Sequence, residues 1–194
     1  MNYPLSLSFK LLAISPQLSV TDATGRLVFY VRQKAFKLKE SVTVFADREQ
    51  TRPVATITAD RILDVSATYR LRAPNGEEFG AVRRRGLKSF WKAHYDVLRG
   101  DVELMSLRER NAFVKVMDGI LTQIPVLGLF SGYLFHPSYD LIRADGTPVL
   151  RVRKRPAFLE GRFTVEKLGE LPPDEEALAI LSILMMVLLE RARG

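Results

Sequence analysis

Three stretches decide how this chain is read. They are Thr24-Gly25-Arg26-Leu27-Val28-Phe29-Tyr30-Val31-Arg32-Gln33-Lys34, Asn75-Gly76-Glu77-Glu78-Phe79-Gly80-Ala81-Val82-Arg83-Arg84-Arg85 and Asp145-Gly146-Thr147-Pro148-Val149-Leu150-Arg151-Val152-Arg153-Lys154-Arg155. Aligned on the glycine, each has Val six residues on, Arg seven on and Lys or Arg nine on. Seven residues before the glycine stand Leu18, Tyr69 and Tyr139. Self-similarity at this scale marks a repeated structural unit. Asn-Gly and Asp-Gly favour tight turns with positive φ between paired strands, so each unit is expected to be a β-hairpin.

Each hairpin is followed by a second strand-like run: Lys37 to Val44, Phe90 to Val97 and Phe158 to Val165. The glycines at 25, 76 and 146 are 51 and 70 residues apart. The longer interval predicts an insertion, a turn or short helix, over Ser106 to Gly119. Near the N-terminus Leu5, Leu7, Phe9 and Leu11 alternate with Ser6, Ser8 and Lys10. That is the period of a half-buried strand. The segment has no early charge and a lysine inside its apolar run, unlike a secretory signal. It reads as the first strand of a cytoplasmic protein.

Ala177 to Leu189 is apolar except for Ser182. As a helix this run is about 20 Å long, short of the roughly 30 Å of a bilayer core. Pro172 and Pro173 lead into it, and Asp174, Glu175 and Glu176 suit a helix N-terminus. A helix apolar on every side must be buried on every side. About twelve strands closed into a barrel leave an interior wider than wall side chains fill. The expected fold is therefore mainly β, a closed barrel of about twelve strands around a buried C-terminal helix, one domain over 1–194. A second apolar stretch, Ile120 to Phe135, is interrupted by Gln123, Pro125, Gly128 and Gly132. These breakers point to a buried loop-and-strand passage rather than a membrane helix.

The three Gly-x5-Val-Arg units, the passage Gly132-Tyr-Leu-Phe-His-Pro-Ser-Tyr139 and the terminal Leu184-Met-Met-Val-Leu-Leu-Glu-Arg191 resemble the LURP-one-related and phospholipid scramblase-like proteins. The resemblance implies the tubby C-terminal-like fold, a twelve-stranded barrel around a hydrophobic C-terminal helix. It also implies binding of phosphorylated lipid headgroups through basic side chains on the barrel surface.

Composition narrows the chemistry. The 194 residues include no cysteine, which excludes disulfides, thiolate nucleophiles and cysteine metal sites. His94 and His136 are the only histidines, and neither has a partner at metal-ligand spacing. Gly128-Leu-Phe-Ser131-Gly132 places its serine one position late for a nucleophile elbow. No phosphate-binding glycine loop or calcium-loop pattern is present. Asp60, Asp64, Asp96, Asp101 and Asp118 are scattered. The expectation is a non-enzymatic protein without cofactor or metal.

The basic residues are organised instead. Segments 32–39, 83–92 and 151–162 hold 14 of the 29 Lys and Arg, and the net charge is +7. Alternate residues of a strand share a face, so Arg32 with Lys34, Arg83 with Arg85, and Arg153 with Arg155 should project together, with Arg151 extending the third pair. Three readings follow. The pairs are a solvated outer wall, whose charge reversal leaves stability unchanged. They bind anionic membrane lipids, since the Arg fork matches phosphate. Or they bind nucleic acid, which the lack of a recognition helix disfavours. The lipid reading gives a monomer that binds at the membrane surface from the cytoplasm. The alternative is a soluble scaffold that binds a protein partner.

Overall fold

A computed structural model describes residues 1–10, 17–32, 41–60, 67–85, 94–110, 138–156 and 160–191. Twelve antiparallel strands close into a barrel: β1 (Leu5–Lys10), β2 (Gln17–Thr21), β3 (Leu27–Arg32), β4 (Val42–Phe45), β5 (Pro53–Ala59), β6 (Thr68–Arg72), β7 (Glu78–Arg84), β8 (His94–Arg99), β9 (Val102–Glu109), β10 (Ser138–Arg143), β11 (Pro148–Arg155) and β12 (Glu160–Lys167). Each pairs with its sequence neighbour, and β1 closes on β12. The helix α1 spans Pro173–Arg191.

The sequence repeat is a repeat of hydrogen bonds. Gly25, Gly76 and Gly146 have φ of 83°, 87° and 91°, the left-handed region where a side chain is strained. In each turn the glycine amide donates to the carbonyl three residues back, Asp22, Ala73 or Arg143, at 2.9 Å. The amide of that residue donates to the carbonyl just after the glycine. Each hairpin then carries a register shift at the same offset, after Val20, Leu71 and Leu141. Leu18 pairs with Val31, Tyr69 with Val82 and Tyr139 with Val152. All six are buried. The following strands keep one register too, since Tyr30 pairs with Phe45, Ala81 with Leu98 and Arg151 with Glu166. The barrel is thus three four-stranded units, β1–β4, β5–β8 and β9–β12.

Two sequence expectations need correction or fall outside the described residues. Ser106 to Glu109 is not an insertion but the end of β9, pairing with β8 and β10. Residues 111–119, Ile120 to Phe135, Leu11, Lys34 and His136 lie outside the described residues.

α1 fills the barrel as its sequence requires. Leu178 through Leu189 are all at most 5% exposed. The one polar break, Ser182, donates its hydroxyl to the Leu178 carbonyl at 2.7 Å, so no buried donor is wasted. The chain enters the helix from β12, at the rim of the glycine turns. Three ion pairs hold that end: Arg99 to Asp174 at 2.8 Å, Arg143 to Glu175 at 3.0 Å and the Met1 amino group to Glu176 at 3.2 Å. Surface and partly covered pairs of this kind contribute little each, but they come from three separate chain segments and fix where the helix enters.

The helix also explains a break in the repeat. Four residues after the turn glycine the units carry Phe29, Gly80 and Leu150. A Cβ on Gly80 would lie 2.5 Å from a Leu178 methyl and 3.0 Å from the Leu98 carbonyl oxygen. At Gly80 the helix packs directly onto the wall. Gly80→Ala is expected to lower stability by roughly 1–3 kcal/mol through overpacking. Equilibrium urea unfolding measures it, and an unchanged midpoint would mean that Leu178 has room to turn away.

Candidate functional site

Odd-numbered strands all run one way, so β3, β7 and β11 end at the same rim. Their Val-Arg-x-basic units therefore sit at one level of the barrel, opposite the rim of glycine turns. Three strands lie between each unit and the next in the closed order. The three units face three directions, a third of the circumference apart, and do not form one patch on the wall.

The second unit is neutralised. Arg83 and Arg85 do project together, and both converge on Asp96 of β8. Arg85 Nε donates to Asp96 Oδ1 and Oδ2 at 2.7 and 2.8 Å, and Arg83 Nη2 to Oδ2 at 3.3 Å. Arg85 Nη2 donates to Glu103 Oε2 at 2.5 Å. The Asp96 side chain faces outward yet is 0% exposed, roofed by these arginines, which are themselves about half exposed. Hydrogen bonding to Asp96 raises the Arg85 pKa above its already high ordinary value.

His94 lies at the edge of this cluster, Nε2 3.4 Å from Asp96 Oδ1. Burial pushes its imidazole below the usual value, against the pull of Asp96, and Arg108 and Arg85 push it further down. The ring is neutral at pH 7, beside the Asp96 carboxylate. Unfolded histidine titrates near about 6.5. The unfolded chain therefore binds this proton first as pH falls. Stability from His94 is complete above that value and declines below it. The carboxyls of Asp22, Asp47, Asp145 and Asp174 are held low by Thr24, Thr51, Thr147 and Arg99 respectively, so their contribution is lost only below about pH 4. His94→Gln is expected to flatten the decline in unfolding midpoint between pH 7 and 5 and leave the acid limb unchanged. Parallel profiles for variant and wild type would remove His94 as the cause.

The third unit is mixed. Arg151 is taken up bidentately by Asp140 of β10, at 2.8 and 3.1 Å. Arg153 Nη2 lies 3.3 Å from Glu166. Arg155 Nε donates to the Thr164 hydroxyl at 3.0 Å, with no described carboxylate on it. Arg155 stands directly opposite Arg162 across the β11–β12 ladder. Like charges facing each other destabilise a sheet locally. The next residue across, on β1, is Ser8, and beyond it on β2 is Ser19. In the first unit Arg32 is exposed and has no described partner.

Sequence reasoning missed the acids. A signal existed: the repeat pairs Val82 with Val97 and Val152 with Val165, which puts Asp96 opposite Arg83 and Thr164 opposite Arg153. The equivalent residue in the first unit is Thr43. The repeat itself separates one neutralised unit from two that face threonine.

Among the described residues no group of His, Asp and Glu is placed to hold a metal. No described helix is long and apolar enough to cross a membrane. What the geometry defines is a class: a closed antiparallel barrel whose lumen is taken by its own helix and whose polar chemistry lies on the outer wall and rim. The sequence profile of the LURP-one-related family matches residues 5–118, more than half of the chain, and the protein belongs to that family. The match ends after β9, before the third hairpin, which the shared register identifies as equivalent to the other two. Comparisons with curated proteins and with solved structures return no match.

Proposed function

We propose that this protein is a non-enzymatic module that docks on anionic or phosphorylated lipid headgroups at a membrane surface, from the cytoplasmic side. Family membership supports a lipid-related role, as does the likeness to scramblase-like and tubby-like proteins. The observation that carries the reading is the outer face running from β11 through β12, β1 and β2 to β3. Across its ladder Arg155, Arg162, Ser8 and Ser19 lie in one row that ends at Tyr30 of β3, with Arg153 two residues further from the rim and Arg32, at the far edge of the face, two residues nearer to it. Arginine forks and hydroxyls both donate to phosphate oxygens. The opposite wall, from β7 to β10, alternates cation and carboxylate and offers no comparable excess. Each basic residue near an anionic leaflet adds about 1 kcal/mol of attraction, screened within a Debye length of about 8 Å.

Sedimentation with anionic liposomes tests this. Wild type is expected to bind, and to bind less as salt rises from about 50 to 300 mM. Arg153→Glu with Arg155→Glu is expected to weaken binding tenfold or more, about 1.4 kcal/mol or above. Wild type that ignores anionic vesicles even at low salt would leave the protein-interaction scaffold as the better reading.

A further inference from the structure

Arg84 stands between the two neutralised arginines and faces the other way. Gly80 points at Leu178 of the helix, so Val82 and Arg84, two and four residues on, share the lumen side of β7. Arg84 pairs in register with Tyr95, and its Cζ lies 5.9 Å from the centre of the Tyr95 ring. Tyr69 is close enough for the Arg84 charge to oppose the upward push that burial gives its hydroxyl. Nη1 of Arg84 is buried and has no hydrogen-bond partner. The acids that hold Arg83 and Arg85, Asp96 and Glu103, act on the outer face. Asp60, the carboxylate near Tyr69, is turned to the Thr68 amide at 2.9 Å.

A buried guanidinium nitrogen without an acceptor is costly, and such atoms are rare unless an ion or water completes them. The face of Tyr95 offsets part of that cost, but a neutral ring stabilises a cation less than dehydration destabilises it. The position recurs: eight residues after its turn glycine the third unit places Lys154, exposed, on the lumen side of β11 at the same rim. Among the described residues the lumen side at this rim thus carries two cations, Arg84 and Lys154, and one buried carboxylate, Glu109, and of the two cations Arg84 is the one flanked by tyrosines.

The geometry points to Arg84 as the receiving residue of a phosphate-binding site at the barrel mouth, walled by Tyr69 and Tyr95. The phosphate group is either a phosphorylated lipid headgroup or a soluble phosphate. The inference deepens the membrane-surface reading and rests on it for the lipid source alone.

Two assays separate the cases. The first titrates inorganic phosphate, read by thermal shift and phosphorus NMR line width. The second is sedimentation with phosphatidylcholine vesicles, plain or doped with a phosphorylated inositol lipid. Each is run on wild type, Arg84→Gln and Arg84→Lys. Removing an uncompensated cation should leave the ligand-free unfolding midpoint unchanged or higher, which also shows that the variants fold. Arg84→Gln is expected to weaken binding tenfold or more, and Arg84→Lys, which keeps the charge but loses the fork, by less. Phosphate stabilisation that is lost in Arg84→Gln, with doped vesicles ignored by wild type, would support a soluble ligand and overturn the membrane reading. Doped-vesicle binding that survives Arg84→Gln but not Arg153→Glu with Arg155→Glu would overturn the mouth site and keep the wall. Wild type that responds to neither probe, or an Arg84→Gln variant that responds as wild type does, overturns the site.

Discussion

Removal of residues 173–194 is expected to leave a chain that does not unfold cooperatively. The helix puts ten large apolar side chains, Leu178, Ile180, Leu181, Ile183, Leu184, Met185, Met186, Val187, Leu188 and Leu189, at 5% exposure or less. At roughly 2 kcal/mol each they contribute about 20 kcal/mol of gross burial. Whole domains are stable by only about 5–15 kcal/mol. The inward wall residues that meet the helix, among them Leu5, Leu7, Val82, Val97, Met105, Leu107 and Leu141, would line an open lumen wide enough for water. Entropy regained by the deleted segment offsets part of the loss but not the exposed wall. Circular dichroism melts and size-exclusion chromatography read the outcome. A point substitution in the full chain, Leu184→Asp, should act in the same direction, because it puts a charge where no partner is present. A truncated chain that stays monomeric and melts sharply would show that the barrel stands alone and that the helix has another use.

The barrel was legible because its signals are local and repeated. A turn glycine, a valine at a fixed offset and an apolar partner seven residues before it are all contained in about fifteen residues. Once three copies align, antiparallel pairing follows with little freedom. The helix was legible from its composition, since only a filled lumen accommodates twelve apolar residues with no polar side. Ser106 to Glu109 was misread because the longer second interval suggested an insertion at its start. Leu107 and Glu109 in fact continue the inward alternation of Met105, and the pairing of Tyr95 with Leu107 places them.

The candidate site was legible only as cations. The pairs lie on shared faces as alternation requires, but their compensation depends on the register with the neighbouring strand, which alternation along one strand does not supply. Asp140 reaches Arg151 across the β10–β11 ladder and Asp96 reaches Arg83 across β7–β8. The inward turn of Arg84 was hidden in a run of three arginines, where alternation alone assigns the middle one to the lumen. That residue also breaks the usual rule that the inner face is apolar.

Reversal of the second unit is therefore expected to act on folding before it acts on binding. Arg83→Glu with Arg85→Glu puts two carboxylates over Asp96, whose side chain is 0% exposed and already lies beside Glu103. Breaking a buried pair by removing one partner costs about 3–5 kcal/mol. The arginines are half exposed, so the lower end applies, about 3 kcal/mol or roughly 6–12 °C in Tm for a chain of this size. This corrects the expectation that these cations need only solvent. The matching reversal in the third unit, Arg153→Glu with Arg155→Glu, should cost much less. Glu166 is partly exposed, Thr164 offers only a hydroxyl, and surface pairs contribute about 0–1 kcal/mol. The repeat supplies the internal control. Asp96→Thr gives the second unit the residue that the other two already carry, Thr43 and Thr164, and removes the buried charge. Combined with the Arg83→Glu and Arg85→Glu reversal, it should recover most of the lost stability. Urea midpoints for the double reversal, for Asp96→Thr and for the triple variant close the cycle. Additive losses would mean that the arginines and Asp96 are not coupled, and that the roof over Asp96 is not what holds the second unit together.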